Sequence, residues 1–224
     1  NLLPAIINNL ASLYYSQNNY SKALEYYSQS VIINKKLNHP LHIPYGLNNE
    51  GSCLLDLGDS KKALLKFEEA LSIAKKNNDK KAIGNSYQLI GKVKLDNNEL
   101  QKAEIFFFKS FEIFEELKLK PDLLECQQYI AQLYFKTQDY NKAKYYSTNS
   151  FQLANEIGSI YGLKESSRLL YDLNKKNNNS KEALRFFELY SKYKDSILND
   201  KNKKGLISQQ YKYEYDKKAL ADSI

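Results

Sequence analysis

The sequence has no apolar run approaching the roughly 18 residues that a membrane-spanning helix needs. Its most apolar stretch, Ile105 to Phe108, is far shorter, so no transmembrane helix is expected within it. Arginine is almost missing, with only Arg168 and Arg185. The net charge of +7 is carried by lysines interspersed with Glu and Asp in every segment. Specific recognition of phosphates and bases favours the planar, bidentate guanidinium, so these lysines read as a solvated face. Nucleic-acid binding through that face is the lesser alternative. Histidine occurs only as His39 and His42, which flank Pro40, and no Cys, Asp or Glu stands at metal-ligand spacing with them. There is no Gly-rich phosphate loop, no nucleophile elbow, and no Ser or Cys with an evident histidine base. No catalytic residue, metal site or cofactor is therefore assigned.

What is present is the composition of a folded protein: 224 residues, 42% hydrophobic and 26% charged. Residues 1–13 carry neither a basic start nor a small-residue cleavage site. No targeting signal is expected there, and the sequence reads as a domain excised from a longer protein.

The dominant signal is an internal repeat. Tyr20-Ser-Lys-Ala-Leu-Glu-Tyr-Tyr27, Ser60-Lys-Lys-Ala-Leu-Leu-Lys-Phe67, Leu100-Gln-Lys-Ala-Glu-Ile-Phe-Phe107, Tyr140-Asn-Lys-Ala-Lys-Tyr-Tyr-Ser147 and Ser180-Lys-Glu-Ala-Leu-Arg-Phe-Phe187 align without gaps. Their alanines, Ala23, Ala63, Ala103, Ala143 and Ala183, follow one another at 40-residue intervals. Twelve residues before each stands a second small position, Ala11, Gly51, Gly91 and Ala131, with Tyr171 breaking the series. Small residues at two fixed points let two helices cross closely. Larger neighbours such as Tyr14 and Tyr27, or Leu54 and Phe67, then fill the flanks as core.

Asn18-Asn19, Gly58-Asp59, Asn97-Asn98, Gln138-Asp139 and Asn178-Asn179 supply left-handed helix ends and caps between the two small positions. Breaks between hairpins fall near Pro40, Asn77-Asn78, Pro121 and Gly158. The spacing predicts an all-α, α-α superhelix of five helical hairpins over 1–200, with repeats at about 4–39, 40–79, 80–120, 121–159 and 160–200. A C-terminal helix is predicted over 201–224, where Leu206, Tyr213 and Leu220 recur every seven residues as either a coiled-coil linker or a helix folded back on the solenoid. Cys53 and Cys126 fall in the second and fourth repeats, too far apart for a disulfide.

This pattern of a small residue, an alanine and an aromatic resembles the tetratricopeptide-repeat family over about 200 residues. It departs from that family in its 40-residue period and at Tyr171, which suggests a capping last repeat. The resemblance implies that the first helix of each repeat lines a concave groove for a protein or extended peptide. Carried over position by position, the groove would hold Asn8, Asn48, Gln88, Gln128 and Arg168 as a carboxamide ladder ending in a guanidinium. Ser12, Ser52, Lys92 and Gln132 would stand beside them, with Tyr15 and Phe135 on an apolar flank. Carboxamides both donate and accept, so a ladder of them could satisfy a peptide backbone whatever its side chains.

Tyr193-Lys-Asp-Ser and Tyr213-Glu-Tyr-Asp-Lys-Lys-Ala-Leu-Ala-Asp-Ser are similar to the junction of Bacteroidetes-type tetratricopeptide sensor proteins. There a coiled helix and one membrane span lead to a kinase, phosphatase or DNA-binding output. That resemblance implies a non-enzymatic, extracytoplasmic (periplasmic) input domain, with membrane contact only through flanking segments and a dimer through 201–224. A cytoplasmic interaction scaffold or regulator is the alternative.

Overall fold

A computed structural model describes residues 3–199. The heptad segment 201–224, with its proposed linker or dimer role, lies outside the described residues. The chain divides into two compact units, Asn1–Asp139 and Tyr140–Ile224.

The first unit contains α1 (Leu3–Ser16), α2 (Tyr20–Lys36), α3 (Ile43–Asp56), α4 (Ser60–Lys76), α5 (Lys80–Asp96), α6 (Leu100–Glu116) and α7 (Lys120–Lys136). The second contains α8 (Tyr140–Glu156), α9 (Ile160–Lys176) and α10, helical over 180–199. No strand occurs among the described residues, and the fold is the expected all-α helical repeat.

A finer period governs the backbone than the one legible in the alanines. A residue with left-handed φ recurs every 20 positions: Asn18, Asn38, Gly58, Asn78, Asn98, Lys118, Gln138, Gly158 and Asn178. Each ends one helix. After Asn18, Asn38, Gly58, Asn78, Asn98, Lys118, Gly158 and Asn178 the next residue's N–H reaches back to a carbonyl five residues earlier, as in Asn19 to Tyr14 at 2.9 Å and Glu99 to Lys94 at 2.8 Å. This is the Schellman closure of a helix C-terminus.

The residue after the left-handed position usually caps the next helix. Asp59 Oδ1 accepts from the Lys62 N–H, Asp79 Oδ1 from Ala82 and Ser159 Oγ from Gly162. Helix end and helix start thus occupy three residues, and the chain reverses with no further loop. The exception is between α2 and α3. There residues 37–42 intervene and α3 begins only at Ile43, with Pro44 in its first turn.

Within the first unit each helix packs on its chain neighbours, and α5 also touches α3 and α7. The expected close crossings are present. A Cβ placed on Gly51 would lie 2.4 Å from Cε1 of Phe67, and one on Gly91 would lie 2.7 Å from Cδ1 and Cε1 of Phe107. Ala11, Ala23, Ala63, Ala103, Phe67 and Phe107 are all fully buried. Tyr14 joins Ala11, Ala23 and Tyr27, and Leu54 packs on Phe67. In the second unit, where Tyr171 replaces the small residue, its ring lies against Phe187 with centroids 5.4 Å apart. Cys53 and Cys126 are free and buried.

Lys118 adopts φ +54° with a side chain that pays steric strain there. Lys118→Gly should raise stability by about 1 kcal/mol, seen as a higher urea midpoint at unchanged slope. A lowered midpoint would contradict the account of this turn.

Candidate functional site

The α3–α5 and α5–α7 contacts place the first helices of successive hairpins side by side in the first unit. Asn48, Gln88 and Gln128 lie on these helices and Asn8 lies on α1, while Arg168 is an exposed residue of α9 in the second unit. Asn8 and Gln128 are half-buried. Asn48 is buried and engages Ser86 of α5 in both directions: its Nδ2 donates to Ser86 Oγ at 3.1 Å, and Ser86 Oγ lies 3.2 Å from its Oδ1. This carboxamide joins two repeats and offers nothing to a ligand. Gln88 is buried too, with an Oε1 that meets no hydrogen-bond donor.

The flanking positions divide similarly. Ser12 is exposed and its hydroxyl lies 2.9 Å from Tyr27 Oη, while Ser52 Oγ donates to the Asn48 carbonyl of its own helix at 3.0 Å. Lys92 and Phe135 are half-buried and Gln132 is exposed. Tyr15 donates to the Asp56 carboxylate at the end of α3. Desolvation, then this hydrogen bond, raises its phenol pKa far above the ordinary value. Tyr15 is thus an inter-repeat link.

The delayed start of α3 opens a cavity of about 280 Å³ between α1, the end of α2, the 37–42 connection and the start of α3. Asn8 lines it, together with Asn9, Asn34, His39, His42 and Tyr45. At its base α2 and α3 approach so closely that a Cβ on Gly46 would lie 2.5 Å from Val31 Cγ2. Ser30 Oγ donates to the Pro4 carbonyl at 3.0 Å and anchors α2 to the start of α1. Asn34 is only 5% exposed. Its Nδ2 donates to the Ser30 carbonyl at 3.0 Å, and its Oδ1 has no protein donor among the described residues. The two histidine rings meet edge to face, centroids 6.2 Å apart. Tyr45 donates to Asp79 Oδ1 at 3.2 Å, and burial followed by that carboxylate's charge pushes its phenol up to about 12.

No lysine, arginine, aspartate or glutamate lines this cavity. It can donate and accept hydrogen bonds from neutral groups, which suits an uncharged side chain or a peptide backbone.

Sequence reasoning passed over Asn34. The signal was there in the register: the corresponding residues of the next three repeats are Ala74, Phe114 and Ala154, all fully buried and apolar. A carboxamide in that series is the anomaly that marks the cavity.

Other polar groups are accounted for structurally. Glu50 of α3 is buried but ion-paired with Lys66 Nζ of α4 at 2.6 Å. Among the described residues no group of three His, Cys, Asp or Glu could hold a metal ion, and no helix is long and apolar enough to cross a membrane. Burial, the larger effect, pushes the thiols of Cys53 and Cys126 up to about 12.

The fold and the small-residue crossings define a helical-hairpin repeat protein. The family model described as "Tetratricopeptide repeat" matches residues 2–76, about a third of the chain, and the small-residue register continues beyond them. This repeat mediates protein–protein interaction and is in general a non-catalytic module.

Solved structures share the fold. BtubC (BKLC) from P. vanneervenii superposes with a TM-score of 0.71 at 15% identity over 85% of this chain and 79% of that one. A Rap protein complexed with Competence and Sporulation Factor gives 0.67 at 17% identity, over 88% of this chain and 64% of that one. A signal transduction ATPase (STAND) protein with a tetratricopeptide repeat sensor from Pyrococcus horikoshii gives 0.67 at 18% identity, over 87% and 31%. No curated protein sequence matches the chain.

With thiol pKa values raised to about 12, almost no thiolate exists at pH 8, and Ellman's reagent should label neither cysteine in the folded chain. Both should react on unfolding in guanidinium. Fast labelling of the native chain would contradict the burial described.

Proposed function

We propose that this chain is a non-enzymatic binding module that holds an extended segment of a protein or peptide along the α1, α3, α5 and α7 face of the first unit. The observation that carries this reading is the α1–α3 cavity, where the accepting Oδ1 of the buried Asn34 lacks a protein donor and Asn8 stands beside it. That oxygen is not sealed off from the cavity, so it can accept a peptide N–H. Asn8 then remains from the carboxamide ladder as a backbone contact, while Asn48 and Tyr15 hold the repeats together.

The wider role we infer is the input domain of a bacterial signalling protein on the extracytoplasmic side. The resemblance of Tyr193-Lys-Asp-Ser and the 213–224 segment to a sensor junction supports it. So does the kind of protein that shares this fold, a Rap protein in complex with a factor and a STAND protein with a repeat sensor. A cytoplasmic scaffold would use the same face.

The test is selection of a phage-displayed random peptide library on the immobilised chain, followed by affinity measurement with the enriched peptides. Asn34→Leu keeps size and burial but removes the acceptor, and Asn8→Ala removes its neighbour. Each should weaken binding about tenfold, the equivalent of 1.4 kcal/mol, with helical content unchanged. Peptides that bind both variants as tightly as the parent would move the site elsewhere, and no enrichment would remove the peptide-binding reading.

A further inference from the structure

The 40-residue register sets each first helix's stacking face beside its equivalents. In the first unit these are Leu3, Ile43, Ile83 and Leu123; Ile6, Gly46, Ser86 and Cys126; Leu10, Glu50, Ile90 and Ile130; and Leu13, Cys53, Val93 and Leu133. In α3, α5 and α7 these faces are closed over by the preceding hairpin. Ile43 and Leu47 pack on Val31 of α2, Ile90 and Val93 pack on Ala63 and Phe67 of α4, and Cys126 Sγ donates to the Phe107 carbonyl of α6 at 3.3 Å.

In α1 the same face lies in water. Ile6 is 60% exposed against 0% for Ser86 and Cys126, and Leu13 is 53% exposed against 0% for Cys53 and 1% for Val93 and Leu133. Leu3 is 50% exposed. The four residues are spaced three, four and three apart, so they form one stripe along the helix. The end repeat of a solenoid normally turns a polar face outward. This one does the reverse, and α1 contains no charged residue at all in a chain that is 26% charged.

We propose that Leu3, Ile6, Leu10 and Leu13 are the receiving half of one more inter-repeat interface. Its occupant is the second helix of a further hairpin of the same repeat, lying ahead of α1 in the same polypeptide. The register would put that helix's alanine 40 positions before Ala23. Continuity with the three interfaces already formed selects this occupant over a second copy of the chain. The matching surface is that of a second helix: those of α2, α4 and α6 are covered by α3, α5 and α7, and a second copy could offer only the exposed Leu184 and Phe187 of α10, an open head-to-tail contact that the sedimentation below would detect. This inference does not depend on what the groove binds.

The test places Ile6→Lys in the natural full-length polypeptide and in the 224-residue chain, and compares thermal unfolding with sedimentation of both. In the 224-residue chain, where the side chain faces water, Tm should stay within about 1 °C. In the full-length polypeptide it should fall by several degrees, and the α1 amides of the parent should exchange more slowly than in the shorter chain. Ile6→Ala should give a smaller fall in the same direction. An equal tolerance in both contexts would overturn the proposal, as would a natural polypeptide with no helical hairpin ahead of Leu3. A 224-residue dimer that Ile6→Lys dissociates would assign the face to a second copy and overturn it also.

Discussion

Two helices can cross at backbone-to-ring distance only where one of them has almost no side chain, and that contact is what the first unit is built on. Phe67 lies where the Cβ of residue 51 would otherwise stand, and Phe107 does the same at residue 91. Each ring is completely buried. Because the ring is anchored to one helix and the gap belongs to the other, the contact fixes both the crossing point and the register of the hairpin. The three-residue turns keep successive hairpins in step, so one local geometry propagates from α3 to α7 with little variation.

The groove follows from that regularity, and so does its one irregular place. Where the connection between α2 and α3 lengthens, the packing no longer closes over the start of α1, and a polar cavity appears beside Asn8. Elsewhere along the same face the short spacing brings α3 and α5 near enough for Asn48 to reach Ser86. Close stacking therefore removes carboxamides from the groove, and the looser junction at α1–α3 keeps them available. The likeness to tetratricopeptide-repeat structures is a likeness of fold, and the binding reading rests on the chemistry of the cavity.

The fold was legible because its determinant is a size restriction, and a recurring Gly or Ala is visible in one sequence. The 20-residue backbone period was less so. Asn and Gly announce the left-handed position at most turns and the repeat register marks Gln138, but Lys118 occupies it with a residue that carries no such signal. The site was legible only in part. Helical position placed Asn8, Asn48, Gln88 and Gln128 on corresponding helices, but whether a carboxamide faces ligand or neighbour depends on inter-repeat distance, which the register alone does not contain. Asn34 escaped notice because it lies on a second helix, outside the positions that the family resemblance points to, although it interrupts an apolar series.

The measurement that bears most directly on this account is a double-mutant cycle at the α5–α6 crossing, with Gly91→Ala, Phe107→Leu and the pair compared by urea unfolding. A methyl group on residue 91 meets the Phe107 ring at 2.7 Å, whereas a leucine at 107 vacates part of that space. The double variant should therefore be more stable than the sum of the single losses predicts, by about 1 kcal/mol or more. Losses that add to within about 0.5 kcal/mol would show that the two residues do not share a contact, and would contradict the small-residue crossing as the basis of the fold.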